Sequence, residues 1–448
     1  MTITEQLGEF VISAAPPAEA RARASAAVLD TVGVILAGAG EPASRIVQGV
    51  VAAEGAGVCQ VFGASASCSA TGAALANGTA AHALDYDDMC FVSLAHPSAP
   101  LVPAAFAAAE FARAPGAALL DAYVVGFEIE GRLGALMNPQ HYQRGWHCTS
   151  TLGTIGAAAA ACRLLGLDAL ATGHALAIAA SEASGLKENF GTMVKPLHAG
   201  LAARNGVLAA LLARDGMTAS ALAIEGPQGL LRAMDSQATE VGEAIADLGS
   251  RWEILETGIT VKLYPSCAGT HPSLDLILNM RREHGFTEAD VERIEIDVDS
   301  ITPTVLIYDR PSTDLEAKFS MPFCAAAAVL DGHVSLETFE TTDLTDPIIT
   351  SLMDRVTMRV DKGFDNGAPA LTQARVSIRL RDGRSFSQKA DGARGYPANP
   401  ATDAELDAKF LSCAERALSK ASSKRALELL RRIEESPDVR AVARQLVS

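Results

Sequence analysis

The sequence predicts a mainly α protein: a large all-helical domain with a smaller α+β domain inserted near the C-terminus. Three observations lead there. Of the 448 residues, 49% are hydrophobic but only 5% aromatic. The core must therefore be built from Ala, Leu, Val and Ile, and Ala both favours helices and lets them approach closely. From about residue 4 to 250, helix-like segments follow one another with Gly and Pro at the breaks. After about residue 260 a two-residue alternation of apolar and polar positions begins. The length suits two or three domains. The expected partition is 1–258 with 402–448 for the helical domain and 259–401 for the smaller one.

The helical part starts with an amphipathic segment, Ala18–Ala37, that stops at Gly38. Ser69–Leu84 is next, with Ser69 or Thr71 available as N-cap. Pro100–Arg113 and Leu119–Met137 are Ala-rich buried helices, and helical patterns also cover 150–165, 168–184, 199–214 and 218–223. Pro115-Gly116, Pro139, Gly166, Gly191, Pro196 and Gly226-Pro227 punctuate them. In the smaller domain, Val291–Val298 and Val356–Val360 alternate as strands. Val376–Leu380 and Ser385–Ser387 form a hairpin through a two-residue turn at Asp382-Gly383. Helices are expected at 272–284 and 317–331, and again at Thr402–Leu418 and Ser422–Glu434.

A formal charge of −16 argues against nucleic acid or an anionic membrane as partner, since both would repel the chain. If the substrate is an anion, the site must supply its own cations. The eight cysteines form no CxxC pair and no zinc-ligand spacing. They read as reduced core thiols of a cytoplasmic protein. Met1–Phe10 has no basic and apolar leader pattern. Apolar runs such as 151–162 are short and read as buried helices, so no membrane association is expected.

Against this background five segments combine Gly or Pro punctuation with ionisable groups. His82-Ala-Leu-Asp-Tyr-Asp-Asp-Met89, followed by His96 before Pro97, puts two histidines and three carboxylates within fifteen residues. Asp85, Asp87 and Asp88 lack the Gly and terminal Glu of a calcium loop, and Mg²⁺ usually requires a phosphate partner, so no metal is expected. Acids at a helix C-terminus are unfavourable against the dipole and call for a specific partner. Tyr142–Thr149 carries His147 at the start of a helix, where packing or capping is the commoner role of a lone His. Gly191–Gly200 carries Lys195 and His198, and Val261–His271 carries Lys262 and His271. Both lysines have apolar flanks, and burial moves a lysine toward acid–base use. Lys318–Phe323 opens an Ala-rich helix. His141, His174, His284 and His333 have no such context and read as structural or surface residues. No P-loop, dinucleotide fingerprint or Gly-x-Ser-x-Gly elbow is present.

Taken together, Asn77–Asp88, His96-Pro-Ser-Ala-Pro100, Gly145-Trp-His147, Gly191–Gly200 and Lys262-Leu-Tyr-Pro265 resemble the MmgE/PrpD family in order and spacing over nearly the whole chain. Its members include 2-methylcitrate dehydratases, cis-aconitate decarboxylases and iminodisuccinate epimerases. The resemblance implies a helical domain, an α+β lid domain, a homodimer, and a site in the cleft between domains that needs no metal or other cofactor. Its polar cleft positions fall on Asp85, His96, His147, Lys195, Lys262 and His271. One departure is Phe323, where the decarboxylases carry a site Tyr.

All three activities require a carbon next to a carboxylate to gain or lose a proton. The expected substrate is thus a small anionic di- or tricarboxylate. Lys262 and His147 are expected to transfer protons, with Asp85 and His96 beside them as catalytic residues. Lys195, His271, His198 and Tyr142 are expected to bind substrate. Phe323 and the His-Pro-Ser-Ala-Pro form favour epimerisation of an iminodisuccinate-like compound. The alternatives are dehydration of 2-methylcitrate or a related hydroxyacid, decarboxylation of cis-aconitate, and a catalytically inactive binding homologue.

Overall fold

The computed structural model describes residues 1–234, 236, 241–365 and 371–447. The chain divides into two compact units. One comprises Met1–Ala83, Asp87–Ile259 and Thr402–Ser448; the other comprises Leu84–Tyr86 and Thr260–Ala401.

The first unit is built on helices that are apolar nearly all round, as buried helices are. Ala70–His82 starts on the Ser69 side chain, which accepts from the Gly72 N–H, and almost every residue in it is buried. It packs against Val194–Arg214. The contact requires glycine: a Cβ at Gly78 would lie 2.8 Å from the Gly200 Cα, and one at Gly200 would lie 2.3 Å from the Thr79 hydroxyl. This close approach brings His82, at the end of one helix, beside Lys195, in the first turn of the other. Cys148–Leu165 seats on the far side of Val194–Arg214, where a Cβ at Gly206 would lie 2.5 Å from that of Ala157. By length and hydropathy Cys148–Leu165 is apolar enough to cross a membrane, but 89% of it is buried inside the protein.

Several elements differ from expectation. The 199–214 helix begins earlier, at Val194, because Pro196 falls in its first turn, where no N–H is needed. The Pro100–Arg113 helix likewise starts at Ser98. Residues 218–223 are extended and turn structure, not helix; a hydrogen bond from Gly226 N to Leu222 O turns the chain before Pro227. A two-stranded hairpin, β1 (Cys59–Val61) with β2 (Ala66–Cys68), interrupts the region read as wholly helical.

In the second unit a four-stranded sheet has the order β4-β3-β5-β6, with β3 at Val291–Val298, β4 at Val356–Val360, β5 at Ala374–Leu380 and β6 at Ser385–Ala390. β3 pairs parallel with β4 and antiparallel with β5. Ile294, Ile296 and Val298 are buried, as their alternation requires. The hairpin turn is longer than the expected two residues: Leu380 N donates to Arg384 O, enclosing Arg381-Asp382-Gly383, with Gly383 at φ 92°. Helices His271–His284 and Met321–Asp331 pack on one another and on the sheet. The 317–331 helix is broken: Asp314–Ala317 is a separate turn, and Ser320 caps a new start by accepting from Phe323 N.

Candidate active site

In the helical unit, the acidic motif turns one carboxylate onto two imidazoles. Asp87 Oδ2 lies 2.7 Å from His82 Nδ1 and 3.2 Å from His96 Nδ1, and Asp87 is completely buried. A carboxylate only accepts, so His82 Nδ1 carries the proton and Nε2 is left to accept. Lys195 Nζ meets Nε2 at 2.9 Å. The result is a linear relay from Asp87 through His82 to Lys195.

His147 lies on the other side of His82, its ring stacked at 5.6 Å. It occupies the N-cap position of Cys148–Leu165, but its side chain does not cap the helix. Instead Nδ1 faces His198 Nδ1 at 3.1 Å, and Phe190 closes the ring edge at 5.0 Å. His147 and Lys195 thus mark the N-terminal ends of two long helices, whose partial positive charge favours an anion nearby.

His82, His147 and His198 are held neutral. Burial pushes His82 down to about 3, against the pull of Asp87 and with the help of Lys195. Burial also lowers His147 well below the usual range, aided by His82, Lys195, His198 and His96. His198 falls to about 4, through burial and Lys195. For Asp87, burial opposes ionisation, but His82 and His96 outweigh it and hold the carboxyl well below its usual value. His82, Asp87 and His96 offer nitrogen and oxygen ligand atoms within 4.8 Å of one another.

Asp87 is therefore an acid in contact with these imidazoles, whereas the resemblance points to Asp85. Asp88 is a brace: it accepts from the backbone N–H and hydroxyl of Ser98, whose Oγ lies 2.6 Å from Tyr123 OH. Burial, with Asp30 and Asp87, raises Asp88 to about 7.

Asp85 belongs to the second unit. Its backbone is left-handed, φ 52°, which Asp tolerates better than most residues. Lys262 Nζ donates to both its carboxylate and its carbonyl oxygen at 2.8 Å, and Lys318 Nζ donates to Leu84 O at 2.6 Å. Two buried lysines thus clamp the Leu84–Tyr86 segment. His271 is fully buried, donates from Nε2 to Ser266 O at 3.1 Å and meets the Tyr264 ring edge-on. Phe323 is buried against Phe339. In the helical unit, Tyr142 lies under the Lys187 ammonium, 3.5 Å from ring to Nζ.

Of the residues singled out by sequence, the helical unit brings together His96, His147, Lys195 and His198. His82, Asp87 and Lys318 lie in the segments that the sequence marks but carry no role in the expected site. The Lys195-x-x-His198 spacing is a usable signal, because residues three apart share a helix face. His82 carried another, as the last residue of a helix that ends directly before three acids.

A helical unit bearing a buried imidazole–lysine cluster, joined to a unit with a mixed four-stranded sheet, defines a two-unit protein with ionisable groups gathered in its helical unit. The chain belongs to the MmgE/PrpD family: the MmgE/PrpD N-terminal domain matches residues 5–241 and the C-terminal domain matches 264–435. It is similar to the cis-aconitate decarboxylase of Homo sapiens, 29% identical over 382 residues, covering 82% of this chain and 77% of that one. The cis-aconitate decarboxylase-like protein oryM of Aspergillus oryzae is 29% identical over 464 residues, covering 98% and 95%. The cis-aconitate decarboxylase of Aspergillus terreus is 27% identical over 403 residues, covering 85% and 82%.

Proposed function

We propose that this protein is a lyase of small polycarboxylates that transfers a proton at a carbon next to a carboxylate. The observation that supports it most is the cluster of neutral, buried imidazoles beside Lys195 at two helix N-termini. A bound polyanion would offset the basic neighbours that keep His147 neutral, raising its proton affinity when substrate is present. In this reading His147 transfers the proton, and Lys195 and His198 hold a substrate carboxylate. Asp87 and His96 fix the tautomer and position of His82. Lys262, His271 and Tyr142 are kept in the proposal from the family resemblance, with Asp85 as the partner of Lys262. The protein acts as a cytoplasmic homodimer without metal or organic cofactor.

The named activities of the relatives favour decarboxylation of a cis-aconitate-like tricarboxylate. There CO₂ leaves, its bonding electron pair shifts through the neighbouring double bond, and a proton is added at the far carbon, next to a carboxylate. Phe323 favours a second reading, epimerisation of an iminodisuccinate-like dicarboxylate, because a buried phenyl ring offers no hydroxyl donor. Incubation with a panel of di- and tricarboxylates in D₂O tests both. CO₂ release supports the first. Deuterium uptake without a new compound supports the second, and a new alkene with loss of water means dehydration. No exchange with any member of the panel overturns the enzymatic reading in favour of a binding homologue.

A further inference from the structure

The second unit contains a cavity of about 570 Å³ that shares no residue with the candidate active site. This volume falls in the range of small-molecule sites, about 300–1,000 Å³. Its lining includes Arg281, Arg282, Arg394 and His333, but one acid, Asp275. In a chain of net charge −16 this is a local reversal of sign. Asp275 is already engaged: it accepts from the Tyr264 hydroxyl and from Arg394 N at 2.7 Å, and lies 3.7 Å from the Arg394 guanidinium.

The arginines are placed by the fold. Arg281 donates from Nε to Val329 O at 2.8 Å and from Nη2 to Leu330 O at 3.4 Å, at the end of the Met321–Asp331 helix. Its other Nη occupies space that only glycine leaves, since a Cβ at Gly332 would lie 2.2 Å from it. Arg282 is held by Asn279 Oδ1 at 2.8 Å. Among the described residues neither Arg281 nor Arg282 has a carboxylate within ion-pair distance. Guanidinium groups with carbonyl or amide partners keep their full charge for a ligand, and their planar fork matches carboxylate and phosphate oxygens.

We propose that this cavity binds a small polyanion bearing phosphate or carboxylate groups. The site is separate from the candidate active site and does not depend on the proposed lyase reaction. Because Leu263 and Tyr264 line the cavity directly after Lys262, occupancy is felt one residue from a lysine of the candidate active site.

Calorimetric titration of the full chain with pyrophosphate, and separately with propane-1,2,3-tricarboxylate, tests this. Saturable binding of at least one probe is expected, weakening as salt is added. Arg282→Gln, at an exposed position, should weaken it about tenfold, and Arg281→Gln about tenfold or more. Arg281→Lys keeps the charge and serves as the second variant should Arg281→Gln fold poorly; it should bind better than Arg281→Gln and worse than the parent. Binding at this cavity, read as the part that Arg281→Gln weakens, should survive Lys195→Ala, whereas tricarboxylate binding at the candidate active site should not. Pyrophosphate binding alone identifies a phosphate ligand, and tricarboxylate binding that survives Lys195→Ala identifies a carboxylate ligand. Absence of binding by both probes at millimolar concentration overturns the proposal. So does binding lost in Lys195→Ala but retained in the arginine variants.

Discussion

Two buried basic groups in this protein are handled in opposite ways. In the helical unit, Lys195 faces an imidazole, and the ionisable neighbours that shift His147 are all basic. In the second unit, Lys262 lies 2.8 Å from the Asp85 carboxylate. The first arrangement gathers Lys195 and several imidazoles about the Asp87 carboxylate. The second is an ion pair at the turn Leu84–Tyr86. Residues of the same chemical kind thus meet an imidazole in one place and a carboxylate in the other, and burial alone does not distinguish them.

The largest test of that contrast is the pair Lys195→Ala and Lys262→Ala. Steady-state turnover of Lys195→Ala and of His147→Ala should fall by about 10²–10⁴ with the denaturation midpoint little changed. Lys262→Ala should lose turnover and also about 3–5 kcal/mol of stability in urea unfolding, because Asp85 is left buried without its cation. Equal midpoints for the two lysine variants would break the comparison.

Acid should weaken the helical unit. His82 and His147 are neutral in the fold, with folded values below the unfolded value near 6.5. The unfolded chain therefore takes up protons first as pH falls. Their contribution to stability is full above about 6.5 and declines below it, by about 2 kcal/mol per fully buried imidazole at pH 5. Asp87 has the same sign in a lower window: its contribution is present above its unfolded value of 3.8 and lost in stronger acid. Thermal unfolding from pH 7 to 5 should show a steep drop, with a shallower slope in His147→Gln.

Phe323→Tyr should cost about 1–3 kcal/mol if its hydroxyl stays unpaired. A rise in CO₂ release at that position would favour the decarboxylase reading, and product analysis of the variant decides it. The smallest effect is expected at Glu130, which is buried, whose carboxyl has no hydrogen-bond partner among the described residues, and which is raised well above 4.5 by burial and by Asp88. A carboxyl that is already protonated resembles an amide, so Glu130→Gln should shift stability by less than about 0.5 kcal/mol in the same urea assay.

Much of this was legible in the chain. The helical series and the alternating strands follow from periodicity, and the basic residues that gather in the helical unit lie in segments marked by Gly and Pro. Which acid serves which partner was not legible. Asp85, Asp87 and Asp88 are near neighbours in sequence, and only the left-handed turn at Asp85 sends them to Lys262, to the imidazoles and to Ser98 respectively. The β1–β2 hairpin escaped because three-residue strands carry too little alternation to detect. Pro196 was misleading because proline breaks a helix in its interior and not in its first turn.

The Leu84–Tyr86 clamp has a consequence for how the protein can be taken apart. A gene fragment encoding 260–401 would omit the three residues whose carboxylate and carbonyls receive the Lys262 and Lys318 amines. Such a fragment would carry two amines made for the interior with their acceptors on another polypeptide. Recombination that swaps the smaller unit between relatives must therefore carry this tripeptide with it, although Asp85 and Lys262 lie 177 positions apart in the reading frame.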